Sequence, residues 1–153
     1  MYFCLPIKKM LQRIQTIYLF LAALLAGGII YLLPLWVHNN GEEIYLYNLI
    51  QSDDWKMISM IAAFGLSALM SFISIFLYKN RKQQIGINRF NIVVNFYLLG
   101  IIVYHLLILP GESEISEKGI GLFIPVLVIV FLSLGNKSII KDEKLVKSVD
   151  RLR

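Results

Sequence analysis

The chain has 153 residues, of which 58% are hydrophobic, and its mean hydropathy is +0.68. Soluble domains are about half apolar, so this composition excludes an ordinary soluble domain and predicts a membrane protein. The formal net charge of +5 would suit nucleic acid as a partner, but its segregation among the loops is typical of membrane topology instead.

Four uncharged stretches predict membrane-spanning helices, because backbone polar groups inside lipid must be hydrogen-bonded within the segment. At 1.5 Å per residue, about 20 residues cross a hydrocarbon core of about 30 Å. The predicted spans cover about 15–37, 57–78, 90–109 and 119–135, with a tail at 136–153. These spans leave no room for a soluble domain, so residues 1–153 are interpreted as a single integral membrane domain.

Basic residues concentrate in alternate loops. Thirteen of the fifteen lysines and arginines lie before the first span, in loop 79–89 or in the tail, whereas loops 38–56 and 110–118 hold seven of the ten acids. Lysine and arginine bias in short loops sets orientation, so both termini are predicted to be cytoplasmic. The predicted fold class is an all-α membrane protein, a four-transmembrane-helix bundle with both termini cytoplasmic and an amphipathic C-terminal helix.

The first element offers two alternative starts. Met10 begins a polar turn that leads into the span, which is typical of a natural start, so residues 1–9 are interpreted as a non-native extension. A start at Met1 or at Met10 gives the same topology. Ala23 and Gly27 are four residues apart and form a small-residue packing surface, and Trp36 is predicted to close the span at the outer interface.

Loop 38–56 is predicted to form a turn at 39–41 and then a short element on the membrane face. Tyr45, Tyr47 and Trp55 would form an aromatic belt there. Two interpretations stay open for this loop, namely interfacial anchoring and a contact surface for a partner.

The second span carries the residues on which the other helices are predicted to pack. Ser59, Ala63, Ser67 and Ser71 recur at every fourth position and form a small-residue ridge. In lipid, helices associate through close approach at small side chains rather than through burial of apolar surface.

Loop 79–89 is predicted to be a short basic turn that makes spans 2 and 3 an antiparallel hairpin. Its candidate contact residues are Lys79, Arg81 and Lys82. Contact with anionic lipid headgroups and docking of an acidic cytoplasmic partner are both consistent with this charge.

The third span carries a polar stripe. Asn91, Asn95 and His105 share a helical face with Leu98 and Ile102, at spacings of four and three residues. Polar residues within membranes are costly, so they are functional candidates by default. One hypothesis is that Asn95 packs through a hydrogen bond to the small-residue ridge, and the other is that the stripe lines a solute or proton path.

The fourth span is predicted to end at a break formed by Gly135 and Asn136. The tail that follows is amphipathic, which predicts a helix lying on the cytoplasmic leaflet or against a partner. Its candidate contact residues are Lys141, Lys144, Lys147 and Arg151.

The sequence contains no HExxH, CxxC, Walker or GxSxG motif, so no catalytic residue and no cofactor is predicted. Cys4 is the single cysteine, which excludes an intramolecular disulfide. His38 and His105 have no spacing to Asp53 or Asp54 that would fix a metal site, so no metal is predicted. The predicted spans contain no acid, which argues against proton- or sodium-coupled transport.

The two ends of the chain, MLQRIQTIYLFLAALL from Met10 and NKSIIKDEKLVKSVDRLR to Arg153, resemble those of a bacterial family described as domain of unknown function 4293. The charge order of KDEKLVKSVDRLR is not dictated by amphipathicity alone, which makes the pattern fairly specific. The resemblance implies a small four-span protein of the bacterial inner (cytoplasmic) membrane. It implies no activity, cofactor or catalytic residue, and residues 1–9 depart from the usual family start.

These observations predict a non-enzymatic accessory or assembly subunit of a membrane complex. The alternative is a small oligomeric permease or channel component that uses the stripe of Asn91, Asn95 and His105. The predicted partners are the lipid bilayer, anionic lipid headgroups, and a membrane protein or further copies of the chain, with no nucleic acid.

Overall fold

The computed structural model describes residues 4–38, 41–51, 54–107 and 115–151. Four long helices, each with a window long and apolar enough to cross a membrane, confirm the predicted helical membrane fold. They are α1 (Cys4–Gly27), α2 (Trp55–Phe76), α3 (Arg81–Leu107) and α4 (Ile124–Arg151). Short 3₁₀ helices occupy Ile29–Tyr31, Leu46–Gln51, Leu77–Lys79 and Ile120–Phe123.

The four helices form a ring in which each packs against the next and α4 returns to pack against α1. Buried residues repeat along each helix at alternating spacings of four and three. They are Gln15, Leu19, Ala22 and Ala26 on α1; Met60, Phe64, Ser67, Ser71 and Ser74 on α2; Gln84, Asn88, Asn91, Asn95, Leu98, Ile102 and His105 on α3; and Val128, Leu132, Gly135, Ile139 and Asp142 on α4. A mean spacing of 3.5 residues keeps one face of a helix against its neighbours, as in left-handed bundles.

The polarity of the bundle is inverted relative to a soluble protein. Leu69, Phe72 and Phe96 are 61%, 52% and 59% exposed, whereas Asn88 and Asn95 are fully buried. Such large apolar side chains around the outside would be unfavourable in water, and hydrocarbon is the solvent that suits them.

A small sheet covers one end of the bundle. Its strands are β1 (Trp36–His38), β2 (Glu43–Ile44) and β3 (Ile115–Lys118), and β1 pairs antiparallel with both others in the order β2-β1-β3. Trp36 lies opposite Ile44 on one side and Lys118 on the other. The sheet therefore joins the α1–α2 connection to the α3–α4 connection, which the sequence analysis did not predict.

Three predicted boundaries differ from the structure. α1 ends at Gly27 rather than near residue 37, and Trp36 lies in a strand. The predicted loop over 79–89 is wrong, because α3 already begins at Arg81. The predicted break at Gly135 and Asn136 is also wrong, because α4 continues through both residues to Arg151. In the last two cases polar residues were predicted as loop, whereas Gln84, Asn88 and Asn136 lie buried in helices and are hydrogen-bonded.

Some of the predicted regions fall outside the described residues. These are residues 1–3 of the proposed extension, 39–40 of the predicted turn, 52–53 with Asp53, 108–114, and 152–153 of the tail. α1 is continuous from Cys4 through Met10, so it includes most of the segment that was interpreted as an extension.

Candidate functional site

Neutral polar side chains fill the interior of the bundle from its middle to the end where α2 connects to α3. We call them the amide network, which comprises Ser67, Ser71, Ser74, Gln84, Asn88, Asn91, Asn95 and Asn136. All eight are less than a tenth exposed. A buried amide or hydroxyl without a hydrogen-bond partner costs about 1–3 kcal/mol, so the partners of these groups decide what the network does.

The part of the amide network that joins α2 to α3 contains four of these residues. Asn91 Nδ2 donates to Ser71 Oγ at 2.8 Å and to Ser67 O at 3.0 Å. Asn95 Nδ2 donates to Ser67 Oγ at 2.8 Å and to Asn91 Oδ1 at 3.1 Å. Asn95 Oδ1 has no partner among the described residues. The contact that the packing hypothesis requires, from Asn95 to the small-residue ridge, is therefore present.

The other part of the amide network joins three helices through Asn88. Ser74 Oγ of α2 donates to Asn88 Oδ1 at 2.6 Å, and Asn88 Nδ2 donates to Asn136 Oδ1 of α4 at 3.0 Å. Gln84 Nε2 adds a bond of 2.9 Å to Ser74 O. Asn88 uses both its donor and its acceptor, so it fixes α2, α3 and α4 relative to one another.

An ion pair lies beside the amide network at the same end of the bundle. Arg81 Nη2 is 2.8 Å from Asp142 Oδ2, and the side chains are 24% and 3% exposed. Gln15 Nε2 donates to Ser138 O at 3.2 Å and connects α1 to α4. Every helix of the ring thus takes part in a polar contact near this end.

His105 lies at the opposite end of α3 and is only 4% exposed. Its ring stacks on Trp36 with 6.5 Å between centroids and meets Tyr104 edge-on at 5.9 Å. The buried residues Leu98 and Ile102 separate it from Asn95, and ten residues of helix span about 15 Å. The residues of the predicted stripe therefore share one buried face of α3, as predicted, but His105 lies about 15 Å along the helix from Asn95.

The chemistry available to the amide network is hydrogen bonding. Amide and hydroxyl groups donate and accept, but they stay neutral near pH 7. Within the described part of the chain, no group of three or more histidine, cysteine, aspartate or glutamate side chains could hold a metal ion. The network is thus suited to fixing helix positions.

Comparison with known proteins gives a match to a protein family. No curated protein and no solved structure significantly matches the chain. The family model described as domain of unknown function 4293 matches residues 11–152, nearly the whole chain. The chain belongs to the domain of unknown function 4293 family. The matched range begins directly after Met10 and contains the amide network and the ion pair of Arg81 with Asp142.

The predicted packing residues of this family member lie at two kinds of position. Ser67 and Ser71 are fully buried and bonded to α3, and Ala63 is 8% exposed. Ser59 is half-buried; its hydroxyl donates to Lys56 O and accepts from Tyr97. A ridge with a spacing of four turns by about 40° at each step, so Ser59 leaves the face that Ser71 occupies.

The packing surface predicted on α1 also has two outcomes. A Cβ at Gly27 would lie 2.9 Å from Cβ of Ala68 on α2, so Gly27 marks a close approach of the two helices. Ala23 is only half-buried, whereas the neighbouring small residues Ala22 and Ala26 are fully buried.

The predicted basic contact residues are mostly exposed. Arg81 is the exception, because its guanidinium is paired with Asp142 inside the protein. Lys147 Nζ is 2.8 Å from Glu143 Oε1, one helical turn earlier. Among these predicted residues Lys79, Lys82, Lys141, Lys144 and Lys147 are exposed, and the side chain of Arg151 lies outside the described residues.

Sequence reasoning missed Ser74, Gln84, Asn88, Asn136 and Asp142. A signal was available for two of them, because Gln84 and Asn88 extend the stripe of Asn91 and Asn95 upstream at the same spacing. The predicted boundary at residue 90 concealed this continuation. Asn136 and Asp142 on α4 had no comparable signal, because their partners are on α3 and only the packing of the two helices brings them together.

Proposed function

We propose that this protein is a non-enzymatic accessory or assembly subunit of a membrane complex in the bacterial inner membrane. The observation that carries the proposal is the three-helix hydrogen bonding of Asn88. Because these buried polar groups hold the helices in place, we assign binding of a partner protein to the outer surfaces of the bundle. Resemblance to a bacterial family of four-span proteins supports the choice of membrane.

One outer surface has a shape that suits a partner helix. The Gly100 groove is an open groove of about 420 Å³ between α2 and α3, lined by Trp55, Lys56, Tyr97, Gly100, Ile101 and Tyr104. No atom lies within 4 Å of the place that a Cβ at Gly100 would take. Helices in lipid approach each other closely at such positions, and the aromatic side chains add contact area.

The test combines native size with a groove-filling substitution. Protein extracted gently from its own membranes through a C-terminal tag is expected to migrate as a large assembly with a stoichiometric partner, identified by mass spectrometry. Gly100→Phe is expected to lower recovery of that partner at least about tenfold, because the side chain occupies the groove. Gly65→Phe is the matched control, since Gly65 on α2 also has open space around its Cβ position.

Two results would contradict the proposal. Full partner recovery with Gly100→Phe would show that the Gly100 groove does not bind the partner. A species of one or a few copies without a partner would favour the alternative, a small permease or channel component that uses Asn91, Asn95 and His105. The unpartnered Oδ1 of Asn95 and Nε2 of His105 are the observations that favour that alternative. Asn95→Leu would then be expected to abolish transport while the protein still accumulates.

The proposed orientation places both termini in the cytoplasm, on the side where lysine and arginine are concentrated. Supporting it, Lys137, Lys141, Lys144 and Lys147 are exposed at one end of the bundle.

Labelling of single cysteines tests this orientation. In a Cys4→Ser background, Asn48→Cys is expected to react with a membrane-impermeant maleimide in intact spheroplasts. Ser148→Cys, at a position that is also exposed, is expected to react only after permeabilisation. The reverse pattern would invert the topology.

A further inference from the structure

A cleft at the connection between α2 and α3 has the features of an anion site. This basic cleft is open, measures about 660 Å³, and is lined by residues 78–83 together with Glu143 of α4. It is distinct from the Gly100 groove, which lies toward the other end of the same two helices.

The charge of the basic cleft is positive after its internal pairs are considered. Arg81 is paired with Asp142, and Glu143 is paired with Lys147. No described carboxylate lies within 4 Å of Nζ of Lys79 or Lys82, and both side chains are exposed. These two ammonium groups are therefore available to an external anion.

The backbone adds donors at the same place. α3 begins at Arg81, and the first N–H groups of a helix have no acceptor four residues earlier within the helix. The positive end of the helix dipole favours an anion there, and phosphate is the anion most often bound in this way. Lys79, Lys82 and the first turn of α3 all line the cleft, so both kinds of donor are present at one place.

The level of the basic cleft indicates the source of the anion. The candidate spans Trp55–Lys79 and Arg81–Leu106 meet at Asn80, and the basic residues around it suit the headgroup layer rather than hydrocarbon. Phe76 and Tyr78, at the adjoining end of α2, are 65% and 48% exposed and offer apolar surface to an acyl chain.

We propose that the basic cleft binds the phosphate of an anionic phospholipid headgroup. This inference rests on the proposed placement in a membrane, but it does not depend on a protein partner or on the Gly100 groove. The phosphate oxygens accept hydrogen bonds from Lys79 and Lys82 and from the first turn of α3. Lipid acyl chains lie along the exposed end of α2.

The experiment measures lipid binding to delipidated protein in uncharged detergent by native mass spectrometry. Dioleoylphosphatidylglycerol is expected to bind more tightly than dioleoylphosphatidylcholine. Lys79→Gln/Lys82→Gln is expected to weaken phosphatidylglycerol binding at least about tenfold, since each lysine near an anionic lipid contributes appreciably. Lys137→Gln/Lys144→Gln removes the same charge from exposed positions outside the cleft, and it is expected to change binding less than about twofold.

Equal weakening in the two double variants would overturn the inference, because diffuse surface charge would then explain the preference. Displacement of the lipid by millimolar glycerol 3-phosphate would assign the cleft to a soluble phosphate and overturn the choice of lipid. Unchanged binding in Lys79→Gln/Lys82→Gln would also exclude the cleft. The cleft variant is expected to retain the large native assembly, so failure here is distinguishable from failure of the subunit proposal.

Discussion

Replacing Gly119 with alanine is expected to destabilise the protein by about 3 kcal/mol or more. A Cβ at this position would lie 2.1 Å from the carbonyl oxygen of Pro34 and 2.6 Å from that of Leu35. Both neighbours are backbone atoms, so no flexible side chain can move aside, and overpacking against backbone lies at the severe end of its usual range.

The contact at Gly119 holds the sheet to the bundle. Gly119 N–H donates to Leu35 O at 3.0 Å, and Gly121 N–H donates to Pro34 O at 3.0 Å. An added methyl group must lengthen these bonds, which connect Gly119 and the 3₁₀ helix Ile120–Phe123 to the segment before β1. The substitution is therefore expected to weaken the attachment of the α1–α2 connection to the α3–α4 connection.

Unfolding of the purified protein in mixed micelles with increasing dodecyl sulfate measures this effect. Gly100→Ala is the matched control, because its Cβ meets no atom within 4 Å and alanine favours a helix interior. It is expected to change stability by less than about 1 kcal/mol. Equal stability of Gly119→Ala and the wild type would mean that the chain does not cross residues 34–35 as closely as described.

The helices were predictable from the sequence because lipid imposes a long apolar run on each of them. The residues at which the helices begin and end were less predictable. Gln84 and Asn88 read as loop, yet both are buried, since Ser74 and Asn136 supply their hydrogen-bond partners. Polarity alone cannot separate a residue that faces water from one that is bonded to a neighbouring helix.

The sheet escaped prediction for a different reason. β2 has two residues and β3 has four, which is too short for an alternating pattern to emerge. Pairing of Trp36 with Lys118 joins residues far apart in sequence, and no local propensity indicates such a contact. The candidate site was predictable at Asn91 and Asn95, where the stripe lies within a predicted span.

The second large effect is expected at the ion pair of Arg81 and Asp142. Asp142→Ala is expected to destabilise the protein by about 2–4 kcal/mol, because it leaves the guanidinium of Arg81 largely buried without its partner. The same unfolding assay measures this loss. Glu143→Ala, on the adjacent residue, removes a carboxylate whose partner Lys147 is 67% exposed, and it is expected to leave stability almost unchanged.

A double variant distinguishes the net contribution of the ion pair from the cost of leaving one charge unpaired. Arg81→Met/Asp142→Leu removes both charges and retains side-chain volume, so it is expected to be more stable than Asp142→Ala alone. The reason is that a buried ion pair contributes little net stability, whereas a buried single charge is costly. If the loss of stability of the double variant equalled the sum of the losses from Arg81→Met and Asp142→Leu measured singly, the two residues would not be coupled. The ion pair would then have no role in joining α3 to α4, and the amide network alone would fix this end of the bundle.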